Sequence, residues 1–206
     1  MRNKSTEQLV FTALFMGIML LMFFFPFLGF IPLGPINATT LHIPVIIGSL
    51  ILGPKIGAFL GGFFGILSMI RSTTTITLSS FVFSPIVSGD FRSVIIAMVP
   101  RILVGIVPYF VYQFLKKFAK TSPSKRSISL LAAGFLGSMT NTLLVMNLIY
   151  FLFMDQYAAV MQTTSDALYG VILGVIFTSG IPEALVAAAA TAAVTSVLFK
   201  IQKRNS

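Results

Sequence analysis

The sequence predicts an all-α integral membrane protein, a six-transmembrane-helix bundle formed by residues 1–206 as one domain. Three observations carry this. Apolar residues run in blocks of about 15 to 25, long enough at about 1.5 Å per residue to cross a hydrocarbon core of about 30 Å. Only 9% of the residues are charged, against about 25% in a typical soluble domain, and the mean hydropathy is +0.98. The breaks between blocks hold Pro, Gly and most of the Lys and Arg. A soluble chain of this size could not hide so much apolar surface. A membrane β-barrel would show alternating segments of about ten residues, not continuous runs.

Span 1 covers residues 7–25 and stops before Pro26. Arg2 and Lys4 ahead of "LVFTALFMGIMLLMFFF" have the look of a signal peptide, but the apolar stretch is too long and no small-x-small cleavage site follows. Span 2 covers 39–53, and span 3 covers 55–70 after the turn Gly53-Pro54-Lys55. Both are short and are expected to stand with little tilt. Span 4 opens at Asp90, a good N-cap, and runs to 118. Span 5 covers 128–153, and span 6 covers 182–200 with Pro182 in its first turn. Residues 167–180, "ALYGVILGVIFTSG", are left over. Joined to span 6 they would make a helix of about 50 Å, longer than the hydrocarbon core. They are expected as a buried or re-entrant piece after span 5, with a seventh short span as the alternative.

Charge sets the orientation. Arg2 and Lys4 precede span 1, Lys55 sits between spans 2 and 3, Lys116, Lys117, Lys120, Lys125 and Arg126 sit between spans 4 and 5, and Lys200, Lys203 and Arg204 follow span 6. Six spans put all of these on one side, so both termini are expected in the cytoplasm. The net charge of +9 is therefore mainly a topology signal. No basic face with interleaved aromatics suggests nucleic acid. Arg71, Arg92 and Arg101 fall outside this set, as do Asp90, Asp155, Asp166 and Glu183, all toward the outer half.

Gly53, Gly57, Gly61 and Gly65 recur every four residues, so they stack on one face of span 3 and admit another backbone. That backbone is either another helix of this chain or a partner membrane protein. Ala13 and Gly17 form a second small-residue pair in span 1, and "AAAATAA", residues 187–193, forms a smooth face in span 6. In span 5, Gly134, Ser138 and Asn141 share a face, while Asn147 points elsewhere. Such polar groups either join helices or touch a ligand. Outer loops capping a ligand pocket complete the predicted fold. The first, "PFLGFIPLGPINATTLHIP", is expected to pack down on the bundle; its Asn37-Ala38-Thr39 fits a glycosylation sequon of little weight. Another, "RSTTTITLSSFVFSPIVSGD", offers hydroxyls with Phe81 and Phe83. His42, the only histidine, is expected to serve the start of span 2 rather than a metal or a proton.

One His, no Cys and five scattered acids make a metal or catalytic site poorly supported, and no nucleophile motif or Walker sequence is present. No charged ring or filter motif suggests a channel, and no inverted repeat of broken helices suggests a self-sufficient transporter. Arg101 is the exception to this blandness. It lies about 15 Å into span 4, where an arginine costs about 2.5 to 3.5 kcal/mol on insertion scales. It is expected to face the bundle interior. Either it pairs with Glu183, or it holds a bound anion such as a carboxylate in bidentate geometry.

"TLHIPVIIGSLILGPKIGAFLGGFFGILSMI" across spans 2 and 3, "VPRILVG" in span 4, "GSMTNTLLV" in span 5 and "GIPEALVAA" opening span 6 resemble the substrate-specific S components of energy-coupling factor (ECF) vitamin transporters. The resemblance covers nearly the whole chain. It implies a bacterial plasma-membrane subunit that captures a vitamin from outside using spans 4 to 6 and the outer loops. The subunit then associates with a transmembrane coupling subunit and two cytosolic ATPase subunits and topples in the bilayer to release the vitamin inward. ATP hydrolysis would belong to the partners, and the chain itself would be no enzyme and need no cofactor. The family's small-residue docking motif in span 1 maps to Ala13 and Gly17, with glycine in place of the second alanine; Gly57, Gly61 and Gly65 are the further docking candidates. "FSPIVSGDFRSVIIAMVPRILVG" with "GSMTNTLL" is most similar to pantothenate-specific members. Under that resemblance Arg101 or Arg92 holds the carboxylate, and Asn141 with loop hydroxyls serves the amide and hydroxyls. Ser138, Asn147, Asn37, Thr39, Phe83 and Glu183 complete the expected substrate-binding set. Riboflavin would want more aromatic stacking, and thiamine-type members are rich in tryptophan, which is absent here. A hydroxymethylpyrimidine or pyridoxine type stays open. The rival from another class is a membrane assembly protein that binds a partner and no ligand.

Overall fold

The computed structural model describes residues 4–25, 29–33, 36–118 and 123–204; Arg2 and Lys120 of the basic set lie outside them. The long elements are α1 (Lys4–Phe24), α2 (His42–Leu52), α3 (Pro54–Thr74), α6 (Arg92–Val104), α7 (Val107–Phe118), α8 (Pro123–Val160), α9 (Leu168–Val175) and α10 (Ile181–Arg204). Short pieces α4 (Ser80–Phe83) and α5 (Pro85–Ser88) lie between α3 and α6, and strands β1 (Phe30–Leu33) and β2 (Ile36–Thr39) pair as an antiparallel hairpin before α2. Among the described residues, five helical stretches are long and apolar enough to cross a membrane: Thr6–Phe24, Pro54–Thr74, Arg92–Phe118, Arg126–Val160 and Leu168–Ile201. The sixth expected span is the shorter apolar α2. Helix α2 is itself mostly buried, while the other helices turn apolar surface outward, with Leu9, Leu21, Phe24, Phe59, Phe110, Phe151 and Phe177 all exposed.

Each helix boundary has a local cause. Gly53 takes φ +94°, which glycine adopts without strain, and Pro54 starts α3 with its φ preset. That lets α2 turn straight into α3. Asp90 Oδ1 accepts the Arg92 N–H at 2.8 Å, but the helix begins at Arg92 with Phe91 as its N-cap, so Asp90 stands one residue ahead of the capping position expected of it. Span 4 is then interrupted at Gly105 and Ile106, which separate α6 from α7.

The glycine ladder of α3 is filled from within the chain. A Cβ on Gly57 would collide with the Gly105 carbonyl, one on Gly61 with the Arg101 carbonyl, and one on Gly65 would lie 2.8 Å from the Ala97 carbonyl. Residues 57, 61 and 65 thus face 105, 101 and 97 in antiparallel register, and the two backbones touch. This corrects the expectation that Gly57, Gly61 and Gly65 form a partner-docking face. Across the bundle, Gly134 of α8 admits α10, whose Ala188 Cα would lie 2.8 Å from a Cβ there. The alanine-rich face of span 6 is likewise used internally, with Ala187 and Ala188 buried. Ala13 and Gly17 differ: Ala13 is exposed, and nothing lies within 4 Å of a Cβ on Gly17.

Residues 167–180 are not a separate piece. Leu168–Ile201 is one 34-residue helical stretch, which passes through a π-helical turn at Ile176–Gly180. Pro182 thus sits in the first turn of α10, but that turn continues from the π turn and is not a free helix start. It has no N–H for the Thr178 carbonyl four residues back, and the wider π turn absorbs that mismatch. The length argument failed because it required the whole helix to stay within the hydrocarbon core. Span 5 also overruns its expected end: Arg126–Val160 is 35 residues, bent at Phe153, where φ −135° and ψ 30° leave the helical region.

Two hydrophobic cores result. One joins Phe15, Met19, Val45, Ile46, Leu60, Phe64, Val104, Tyr112 and Leu130. The other joins Val82, Ile96, Val145, Ile149, Phe153, Tyr157, Leu168 and Ile172, so the overrun of α8 packs against α9. At the end of the bundle nearer the first core, the Arg126 guanidinium sits 4.9 Å over the Phe199 ring, which stacks on Tyr112. Lys116 lies 5.9 Å over Tyr112. The start of α8 and the ends of α7 and α10 therefore share one end, with their basic residues together.

Candidate functional site

A cavity of about 280 Å³ lies toward the other end. Helix α3 lines it with Ser68, Arg71 and Ser72, and the chain beyond adds Thr75, Thr77, Ser79 and Phe83. Helix α8 supplies Asn141, Thr142, Val145, Met146 and Ile149 at helical spacing, then Tyr157 beyond the bend. Val175, Ser179 and Gly180 come from α9 and the π turn, Glu183 from the first turn of α10, Thr39 from β2 and Arg101 from α6. The wall is thus part hydroxyl and amide and part aliphatic, with charges of both signs.

Arg101 is only 4% exposed. Its backbone is brought to the cavity by Gly61, whose missing Cβ makes room for the Arg101 carbonyl. Its side chain leans toward the N-terminal end of α6, as helical side chains do. Nη1 donates to the Ile96 carbonyl at 2.7 Å. The guanidinium carbon lies 4.7 Å over the Phe83 ring and 5.5 Å over the Phe64 ring. Nε is buried and has no hydrogen-bond partner in the protein. Among the described residues no ion pair joins Arg101 to Glu183, so the salt bridge, one of the two alternatives for Arg101, is not formed. The charge is held instead by a carbonyl and two ring faces.

Glu183 is engaged elsewhere. Its Oε1 accepts the Thr39 N–H at 3.1 Å, which ties the end of the β1–β2 hairpin to α10. His42 Nδ1 stands 3.4 Å from the same oxygen, near enough for an electrostatic contact but without hydrogen-bond geometry. His42 is fully buried at the start of α2, in the packing role expected of it. The first loop thus reaches the cavity through Thr39.

Of the expected substrate-binding residues, the structure brings Arg101, Asn141, Thr39, Phe83 and Glu183 together around the cavity. Arg92 is not among its lining residues. It pairs with Asp90 at 2.6 Å and donates from Nη1 to the Leu152 carbonyl at 2.7 Å, with its guanidinium 5.0 Å over Phe153. It therefore braces the bend of α8. The Arg92 guanidinium holds the exposed Asp90 carboxyl below the usual carboxylate range, mainly through that side-chain hydrogen bond. Ser138 is buried near the α8–α10 contact, and Asn147 donates back to the Leu143 carbonyl at 2.7 Å; neither lines the cavity. Asn37 pairs with Pro32 in the hairpin, and its side chain lies outside the described residues.

Sequence reasoning missed Ser68 and Ser72, although they continue the inward face of Gly61 and Gly65 at helical spacing. It missed Tyr157 because span 5 was ended at the bend, and Ser179 because residues 167–180 were set apart from span 6. Several of these groups need partners. Ser68 Oγ, Asn141 Oδ1, Tyr157 Oη and Thr39 Oγ1 are buried without a hydrogen bond from the protein, as is Arg101 Nε. A cavity lined by the Arg101 and Arg71 cations, the Glu183 carboxyl already engaged by the Thr39 N–H, and neutral polar groups without protein partners suits a small anion that also carries amide or hydroxyl groups.

Comparison with known proteins agrees. Residues 7–195 match the family model described as "ECF transporter, substrate-specific component". The chain is 34% identical over 212 residues to the "Pantothenic acid transporter PanT" of Lactococcus lactis subsp. cremoris, covering 100% of both chains. It is 31% identical over 208 residues to the "Pantothenate transporter PanT" of Leuconostoc mesenteroides subsp. mesenteroides, covering 99% of this chain and 98% of that one. Both the family and the apolar helices make this a multi-pass membrane protein. The chain belongs to the family of substrate-specific components of ECF transporters.

Proposed function

We propose that the chain is the pantothenate-binding subunit of an ECF-type importer. The observation that carries this is Arg101, a buried guanidinium whose Nε lacks a partner and which opens on a cavity of hydroxyl and amide groups. Pantothenate offers the complement: a carboxylate for the guanidinium, and an amide and two hydroxyls for Asn141, Tyr157 and the hydroxyl-bearing wall. Its geminal methyl groups match Val145, Met146 and Ile149. The cavity, about 280 Å³, is close to the lower end of the range of roughly 300–1,000 Å³ for small-molecule sites. Two full-length relatives bearing the transporter's name support the same ligand.

In this reading α2 is a sixth, short crossing, residues 1–206 form one transmembrane domain, and both termini face the cytoplasm of a bacterium. The loop after α3 and the β1–β2 hairpin cap the outward end of the pocket. Ala13 and Gly17, on the open face of α1, meet the transmembrane coupling subunit. Two cytosolic ATPase subunits supply the energy, and toppling on the coupling subunit delivers the ligand inward. Isothermal titration of the purified chain with pantothenate tests the ligand. Saturable binding in the nanomolar to low micromolar range is expected; its absence overturns the assignment.

A further inference from the structure

Pro100 lies inside α6, next to Arg101. In an α-helix the N–H of residue 100 would donate to the Ile96 carbonyl, but proline has no N–H. That carbonyl sits at a buried position, where an acceptor without a donor is costly. The structure shows what takes the vacant place: Arg101 Nη1, at 2.7 Å. We infer that Pro100 is a positioning residue for ligand binding, which fixes the Arg101 guanidinium by leaving it the Ile96 carbonyl as an anchor.

The consequence is directional. One of the five guanidinium N–H groups is held on the side of α6, while the guanidinium carbon stands over the Phe83 and Phe64 rings. Glu183, the only acid lining the cavity among the described residues, does not capture the cation. The Nε edge, buried and unbonded, is then presented to a carboxylate. With an N–H at position 100 the Ile96 carbonyl would be satisfied within the helix. Arg101 would lose its anchor and gain freedom to reach Glu183. This rests on the pantothenate reading above for its ligand, though not for its geometry.

Three measurements test it. Pro100→Ala should weaken pantothenate binding by about tenfold, the scale of one lost charge-assisted hydrogen bond. Pantothenyl alcohol, in which a hydroxymethyl group replaces the carboxylate, should bind wild type and variant alike. In an Arg101→Ala background the same substitution should have no further effect. Equal weakening toward both ligands would show a general structural role and overturn the inference, as would additive losses in the double variant. Pro100→Val, which also restores the N–H, should reproduce the result; failure of both variants to fold makes Pro100 structural and refutes it. A ligand-free readout separates this from the choice of vitamin. Rotational-echo NMR on chain labelled at isoleucine ¹³C carbonyls and arginine ¹⁵N guanidinium should show the contact in wild type and its loss in Pro100→Ala. Persistence of the contact overturns the inference even if pantothenate proves the wrong ligand, whereas absent wild-type titration alone overturns only the pantothenate reading.

Discussion

Replacing Gly61 with alanine adds one methyl group where α3 meets the backbone of Arg101. The new Cβ would collide with the Arg101 carbonyl oxygen and lie 2.8 Å from its carbon and 2.9 Å from Ile102 Cα. All three are main-chain atoms, so no rotamer change relieves the clash. Reaching 3.4 Å from the carbonyl carbon needs a separation of at least about 0.6 Å between α3 and α6. Overpacking of this kind costs about 1–3 kcal/mol. For a chain of this size that lowers the melting temperature by roughly 2 to 12 °C, at about 2–4 °C per kcal/mol. Gly62→Ala is the control: its Cβ meets only Met98 Cε, at 3.9 Å, and should melt like wild type. The chain has neither Trp nor Cys, so melting is best followed by circular dichroism of the detergent-solubilised protein. Because the atoms displaced belong to Arg101, pantothenate affinity should fall in Gly61→Ala and hold in Gly62→Ala. Indistinguishable melting and binding in the two variants would refute the close α3–α6 contact and the placement of Arg101 that depends on it.

Arg101→Ala should weaken pantothenate binding by more than about tenfold, equivalent to about 1.4 kcal/mol, while the protein stays monodisperse; unchanged affinity in calorimetry would make Arg101 purely structural. Arg92→Ala should leave affinity within about twofold, since Arg92 engages Asp90, Leu152 and Phe153 and does not line the cavity, and should speed amide exchange at the bend of α8. Because Asp90 titrates below its ordinary value, its pairing with Arg92 is fully present above the usual carboxylate range and is lost as pH falls through the lowered value. Its NMR midpoint should therefore lie below the ordinary carboxylate range in the wild type and rise toward it in Arg92→Ala, where the backbone N–H bond remains and the guanidinium is gone. Glu183→Ala should deprotect the Thr39 amide in hydrogen exchange, whereas Glu183→Gln, which keeps an acceptor, should not; equal protection in both would show that Glu183 does not hold the hairpin.

Sequence revealed whatever a single helix determines. The four-residue recurrence of Gly57, Gly61 and Gly65 announces a close contact, because spacing along one helix decides which residues share a face. It does not say whose backbone arrives, since the register with Gly105, Arg101 and Ala97 is a property of two helices. Arg101 was legible from the cost of its burial, and Glu183 was the natural partner to guess because opposite charges are what a sequence displays. The actual acceptor is a main-chain carbonyl, which no side-chain census shows. Pro100 was the available signal, as a helical proline always frees the carbonyl four residues before it. Tyr157 and Ser179 were missed for one shared reason: both lie on helices that run longer than a hydrocarbon core requires.

Among the described residues, three backbone irregularities lie at or next to the cavity. Pro100 interrupts the bonding of α6 beside Arg101, the bend at Phe153 precedes Tyr157, and the π turn contains Ser179 and Gly180. In a bilayer, a main-chain group released from its helix must find a partner within the protein or a polar space, because lipid offers none. Two of the irregularities are met by arginine: Arg101 serves the Ile96 carbonyl and Arg92 serves the Leu152 carbonyl. The third is met by the Ile181 N–H, which bonds the Ile176 carbonyl across the wider turn. Arg92 and Arg101, two of the three arginines beyond the basic cluster, thus share a task, capping a broken helix, and differ in what remains afterward. Arg92 spends its other donors on an exposed carboxylate, whereas Arg101 keeps a buried donor unspent beside the cavity. That difference, not depth alone, is what makes Arg101 the group we propose for binding an anion.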